Sequence, residues 1–284
     1  MKEVNIVMPE TKSLKKYIPI DLPDLIRLGV LRDGGYVMAR RQLSETHLVL
    51  GLGIGSNWTF EQHFKACSPW VSIVAVDYSI SKCIFFMRAI REAATLILAL
   101  CQGHFKKARK QVSFTRKYLS ASIRLRWLES QTAFIRKKVG RGLSDSEINA
   151  KTLFNTYAST ARNNSVFVKM DIESAEYEVL EDFRPFFSKI NGFAIEFHQL
   201  DRYWDVFERV VSVLRTDFEI IHIHGNNFGK TIPNTQVPAT LEITFLHRCL
   251  LKDHETVLSS QSYPLIGLDF PNCVDEKDID LIFT

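Results

Sequence analysis

The chain has 284 residues, 46% hydrophobic and 24% charged, which suits a soluble globule with a sizeable core, in one large α/β domain or two small ones. No run reaches the roughly 18 apolar residues of a membrane span, and the longest candidate, Ala93–Cys101, is too short. The net charge of +4 conceals a split: residues 85–141 carry 14 Lys and Arg against two acids, a net +12, which leaves −8 for the rest.

The N-terminal stretch lacks the apolar core of a signal peptide. Five scattered Cys (67, 83, 101, 249, 273) show no CxxC and no metal-type spacing, so they read as free thiols in a reducing, cytoplasmic compartment. Residues 1–45 form an entry segment, with a Gly-Gly turn at Asp33–Met38 leading into a short strand. Next comes strand, glycine loop, helix: His47–Leu50, then Gly51, Gly53 and Gly55, then helix from Thr59. Val71–Ser79 is a second strand with Asp77 near its C-terminal end.

Residues 80–150 read as mostly helical, with three- and four-residue apolar spacing and no Pro. Ser144 with Glu147 fits a capping box for a helix over 145–157. Val166–Asp171 is a third strand followed by a helix, and Gly192–His198 a fourth followed by an amphipathic helix. Phe218–Gly225 and Ala239–Arg248 are two more, joined by a helix-free loop that suits an antiparallel pairing. Alternating strands and helices predict a mostly parallel α/β sheet with an antiparallel last strand.

In such sheets ligands sit beyond the C-terminal strand ends. Here those ends carry Gly51–Gly55, Asp77, Asp171 with Glu173, Glu196 with His198, and His222 with His224. A glycine loop followed by a strand-end acid suits a nucleoside-bearing cofactor, although a plain tight turn reads the same way. The third Gly of a dinucleotide site is absent, as is a Walker lysine, which disfavours NAD and nucleotide phosphates. S-adenosylmethionine needs neither.

The run "VKMDIESAEYEVL" is similar to the "lKiDIEGaEyevL" motif of the FkbM-type class I S-adenosylmethionine-dependent methyltransferases. "RLGVLRDGGYVM", "GLGIGSNWTFE", "IEFH", "HIHGNN", "LEITFLHR" and the tail "PLIGLDFPNCVDEKDIDL" support the resemblance, which skips residues 82–150. It implies a Rossmann-like methyltransferase domain over 46–284, interrupted by a basic helical insertion at about 82–150, and methyl transfer to a hydroxyl of a sugar, glycan or related metabolite. Two departures stand out. Ser174 replaces the usual Gly, and the glycine motif lacks its leading acid, a role that Glu61 can share.

The expected cofactor residues are Gly51, Gly53, Gly55, Glu61 and Asp77. Removing a hydroxyl proton needs a base within reach, so Asp171, Glu173 and His198 are the catalytic candidates. Glu196, His222, His224, Asn226 and Asn227 are the candidates for holding the acceptor. The strand-end pairs at i, i+2 share a face. Asp171, Glu196, His198, His222 and His224 are accordingly also candidate ligands for Mn²⁺, Fe²⁺, Zn²⁺ or Mg²⁺. The insertion reads either as a solvated basic face or as a dock for an anionic membrane, placing the protein at the inner membrane face. Nucleic acid is disfavoured, since no NPPY-like run follows the third strand. Two rival readings are an NAD-dependent oxidoreductase and a non-catalytic methyltransferase-fold protein docking on an anionic membrane or partner.

Overall fold

The computed structural model describes residues 12–283; the first eleven residues of the expected entry segment lie outside that range. The N-terminal part is an antiparallel pair, β1 (Leu25–Leu28) and β2 (Tyr36–Ala39), and a short helix, α1 (Arg40–Glu45). The main sheet has seven strands: β3 (Leu48–Leu52), β4 (Ser72–Val76), β5 (Ala133–Ile135), β8 (Val166–Met170), β9 (Ile190–Phe197), β10 (Phe218–Gly225) and β11 (Leu241–His247). A separate parallel pair, β6 (Lys138–Val139) and β7 (Glu147–Ile148), leads into the helix before β8. The remaining helices are α2 (Thr59–Cys67), α3 (Lys82–Cys101), α4 (Phe105–Gln131), α5 (Ala150–Tyr157), α6 (Glu176–Val179) and α7 (Leu200–Leu214).

The order across the main sheet is β10-β11-β9-β8-β3-β4-β5. All neighbours are parallel except β11, which is antiparallel to both β9 and β10. This is the expected Rossmann-like α/β fold with an antiparallel last strand. That last strand does not lie at an edge: it is inserted between β9 and β10.

The central strands are apolar on both faces because both faces are covered. On one face Leu50, Val168, Phe193 and Ile195 pack against Leu153, Phe183 and the α7 stripe Trp204, Phe207, Val211 and Leu214. On the other, Val49, Phe167 and Ala194 meet Tyr36, Phe60 and Phe64. A smaller cluster of Ile54, Trp58, Phe85, Ala121, Leu125 and Leu128 fastens the α3–α4 hairpin to the body.

Residues 80–150 are mostly helical, as expected, in α3 and α4, but not to the end. The helices end at Gln131, and Ala133–Ile135 adds a parallel strand beside β4. Three residues are too few to show period-two alternation. The expected capping box is also absent. Glu147 lies in β7, with Oε2 accepting from the Leu143 N–H at 3.2 Å. Helix α5 begins later, capped by Asn149, whose Oδ1 accepts from the Thr152 N–H at 2.8 Å. The helix expected after β8 is one α-turn running into a 3₁₀ segment, Leu180–Lys189, with Pro185 inside.

Candidate active site

The chain runs from β3 outward to β4 and β5, then returns to β8 on the other side of β3. That reversal is a topological switch point, where the loops diverge and leave a crevice. A cleft of about 650 Å³ lies there, bounded by Gly53–Asn57, Val76–Ser79 and Asp171–Ala175, with Asp33, Arg88, Lys137, Lys138 and Tyr203 at its margins. Its volume suits a small-molecule ligand.

Gly53 (φ +71°) sits against the end of β8. A Cβ there would lie 1.8 Å from the Asp171 carbonyl oxygen. Gly55 (φ +56°) has nothing within 4 Å of its Cβ position, so the loop leaves that side open for a ligand. Asp77 anchors the loop from β4: Oδ2 accepts from the Gly55 N–H at 2.8 Å, and Oδ1 from the Ser79 N–H at 2.6 Å and hydroxyl at 2.8 Å.

Gly51 belongs elsewhere. It lies inside β3, away from the cleft, and its missing side chain makes room for Glu61, whose Oε1 would be 2.8 Å from a Cβ. Glu61 does not line the cleft either. It is buried beneath the loop, and neither of its oxygens has a hydrogen-bond partner. Burial raises its pKa, against the opposing charge of Lys169.

Asp171 reaches the cleft wall between two basic groups, Lys169 Nζ at 3.6 Å and His198 Nε2 at 3.6 Å. Lys169 also donates to the Gly53 carbonyl at 2.9 Å, tying the glycine loop to β8. Sequence reasoning missed Lys169 because a Lys inside an apolar run reads as an exception to the strand. Its signal was that a buried Lys demands carboxylate partners. Burial alone would lower its pKa, but Asp171, Glu61 and Glu196 raise it.

His198 follows β9 and is held by Glu176, whose Oε1 accepts from the His198 N–H at 2.8 Å and lies 3.2 Å from Nδ1. The ring therefore presents Nε2 to Asp171, to Glu196 (3.7 Å) and to Glu173 (3.8 Å). Burial disfavours the imidazolium, but Glu176, Glu196 and Asp171 outweigh it and push the pKa up to about 9. At neutral pH His198 is a cation rather than a base. Glu196 is pushed the other way from a free carboxylate: burial, then Asp171 and Glu242, raise its pKa well above the usual range. Its partners are Asn226 Nδ2 (2.6 Å) and Tyr36 Oη (3.5 Å).

Glu173 and Ser174 both adopt left-handed backbone, φ 55° and 78°. Glu173 is 87% exposed on the rim of the cleft. The left-handed φ at Ser174 is the physical reason a Gly suits that position. Ser174 Oγ accepts from Gln199 Nε2 at 2.9 Å.

The other expected acceptor residues are not brought together with these. His222 pairs with Asp269 (3.0 Å). His224 lies between Glu242 (3.3 Å) and Asp278 (3.1 Å). Asn226 is spent on Glu196, and Asn227 is buried against the carbonyls of Cys273, Glu276 and Lys277. None of the four lines the cleft. The cause is strand order: β11 and β9 separate β10 from β8, three spacings or about 14 Å. Among the described residues the metal-competent group is Asp171, Glu196 and His198, whose ligand atoms lie within 4.8 Å of one another, without His222 or His224.

No protein-family model matches this sequence, and no curated protein does. Among solved structures, precorrin-6y C5,15-methyltransferase from Geobacter metallireducens GS-15 aligns at 9% identity with a TM-score of 0.34, over 73% of this chain and 87% of that one.

Proposed function

We propose that the cleft is the active site of an S-adenosylmethionine-dependent O-methyltransferase acting on a hydroxyl of a sugar, glycan or related metabolite. One observation carries this reading. At the switch point, the open side of Gly55, the carboxylate of Asp77 and the cation-flanked carboxylate of Asp171 surround a single cleft. The cofactor supplies an electrophilic methyl group. Gly53 and Gly55 let the backbone approach it, and Asp77 accepts from its ribose hydroxyls.

Asp171 is the base: it lines the cleft at the end of β8, with Lys169 Nζ and His198 Nε2 each 3.6 Å from its carboxylate. His198 acts on Asp171 as a charge, so of the sequence candidates it is a positioning group. Glu173, on the rim, and Arg88, Lys137 and Lys138, which also line the cleft, would contact the acceptor.

A second reading rests on the same trio. Asp171, Glu196 and His198 would hold a divalent cation in place of the imidazolium proton, with Glu176 directing the ring and the cation acidifying the acceptor hydroxyl. Mn²⁺, Fe²⁺ or Zn²⁺ suits this mixed donor set better than Mg²⁺.

Calorimetric titration with S-adenosylmethionine, S-adenosylhomocysteine and NAD tests the cofactor. Binding of NAD alone would mean an oxidoreductase. Transfer of labelled methyl groups into cell-envelope glycans or soluble metabolites tests the acceptor, and Asp171→Asn should abolish transfer while sparing cofactor binding. Cofactor binding with no transfer to any extract would favour the non-catalytic alternative. Turnover that survives exhaustive chelation would eliminate the cation.

A further inference from the structure

The α3–α4 hairpin is attached to the body from one side only. Phe85, Ala121, Leu125 and Leu128 are buried against Ile54 and Trp58. Trp127 also packs against this cluster. The outward face of α3 is different. Phe86, Met87, Ile90, Ile97 and Leu98 are each more than half exposed, and Phe105 at the tip is 74% exposed. Their spacing of three, four and seven residues draws one stripe along the helix, roughly 18 Å long at 1.5 Å per residue. An apolar surface of this extent marks an interaction site.

Its surroundings specify the partner. No acid occurs between Glu92 and Glu129, and Lys106, Lys107, Arg109 and Lys110 are all exposed beside the tip. A second copy docking through the same face would bring two strongly cationic hairpins together. A nucleic acid would satisfy the cations but leave the apolar stripe in water. An anionic lipid surface satisfies both, because apolar side chains enter the headgroup boundary while the cations stay on the phosphates. No helix among the described residues is long and apolar enough to cross a membrane, so the hairpin would lie at the interface.

We propose that the α3–α4 hairpin docks on an anionic bilayer, with the α3 stripe and Phe105 seated in the headgroup boundary and the tip cations on the headgroups. Arg88, which lines the cleft, projects from the side of the same helix away from the stripe, so the docked face and the cleft occupy different sides of α3. The docking does not depend on the methyl-transfer reading.

Sedimentation with phosphatidylcholine vesicles, with and without phosphatidylglycerol, tests it. The protein should bind only the vesicles containing phosphatidylglycerol, and binding should fall as salt rises. Reversing Lys106, Lys107, Arg109 and Lys110 to Glu should weaken binding about five-fold per charge. Ile90→Ser with Ile97→Ser and Phe105→Ser keeps every charge and should weaken it at least about ten-fold. All seven positions are exposed, and unchanged thermal melts would confirm intact folding. Three results would overturn the proposal: no binding to the anionic vesicles; loss of a dimer, seen by light scattering, in the serine variant without loss of vesicle binding; or RNA binding that the charge reversal abolishes while vesicle binding is absent.

Discussion

Gly53 and Gly55 sit two residues apart in one loop, both with positive φ, yet they should fail in opposite ways when given a methyl group. At Gly53 an added Cβ would lie 1.8 Å from the Asp171 carbonyl oxygen, and contacts below 3.0 Å are not tolerated, so one backbone must yield by about 1.2 Å. That carbonyl terminates β8, and its residue's N–H donates to Leu52 O at 3.0 Å. The left-handed backbone adds about 1–2 kcal/mol, a lost ladder bond about 1 kcal/mol, and overpacking about 1–3 kcal/mol. Gly53→Ala should therefore cost about 3 kcal/mol or more. At Gly55 the methyl meets nothing within 4 Å, leaving only the backbone term of about 1–2 kcal/mol. The gap of about 2 kcal/mol corresponds to a difference of about 4–8 °C in melting temperature for a chain of this size. Urea and thermal unfolding followed by circular dichroism measure it. On the proposed function, Gly55→Ala should keep most of its stability but lose affinity for S-adenosylhomocysteine, because its methyl enters the cleft. Equal stability of the two variants would refute the packing argument outright.

Other consequences are accessible to the same instruments. The pKa values of His198 and His224 rise on folding, to about 9 and about 10, because their carboxylate partners outweigh burial. A raised folded-state pKa gives stability that is full below the ordinary histidine value and is lost as pH rises through about 9–10. Denaturation midpoints should fall across that range, and His224→Gln should flatten the fall. At the acid end, Arg41 holds Glu255 down at about 2 while also gripping Asp24 at 2.9 and 3.0 Å. This contribution is present above the ordinary carboxylate pKa and disappears as pH falls towards 2, so Arg41→Met should remove that part of the acid transition. Asp77→Ala should weaken S-adenosylhomocysteine binding ten-fold or more, about 1.4 kcal/mol per factor of ten. Ser79→Ala, which removes only a hydroxyl donated to Asp77, should change it by much less. Calorimetry with equal losses in both variants would transfer the effect to loop anchoring rather than ribose binding.

The sheet was legible in the sequence where burial on both faces writes itself as a continuous apolar run. β3, β4, β8 and β9 were found within a few residues of their true ends, and α7 was marked by its apolar stripe. The glycine loop and Asp77 could be placed because a strand that ends in Gly or Asp signals the ligand edge of such a sheet. What could not be read depends on contacts between distant segments. Gly51 looks like a loop residue until Glu61 is seen filling the space beside it. Asp33, Lys137 and Lys138 reach the cleft from segments whose sequence offers no periodic pattern. β5 is too short to alternate. Lys169 was visible as an anomaly, but only the partners around it distinguish a site residue from an exposed edge.

The histidines on β10 carry a more general lesson about strand-end chemistry. Period two correctly places His222 and His224 on one face, and the strand ends do gather at one edge of the sheet. Face and edge leave the third coordinate, the lateral position, to the strand order. Because β11 enters between β9 and β10, Glu242 stands in register with Glu196 on one side and His224 on the other. The result is a row, buried at Glu196, Glu242 and His224 and half-buried at Asp278, in which each acid has a donor or cation within reach: Asn226 for Glu196, Asn272 and His224 for Glu242, His224 for Asp278. An isolated carboxylate at this depth would cost several kcal/mol, so the row persists only because the C-terminal segment supplies partners. Asn272 and Asp278 come from that segment, and Asn227 is bound by its backbone. The polar residues at the strand ends thus divide by position. Those beside the switch point face a cleft, and those beyond β11 fasten the end of the chain to the sheet.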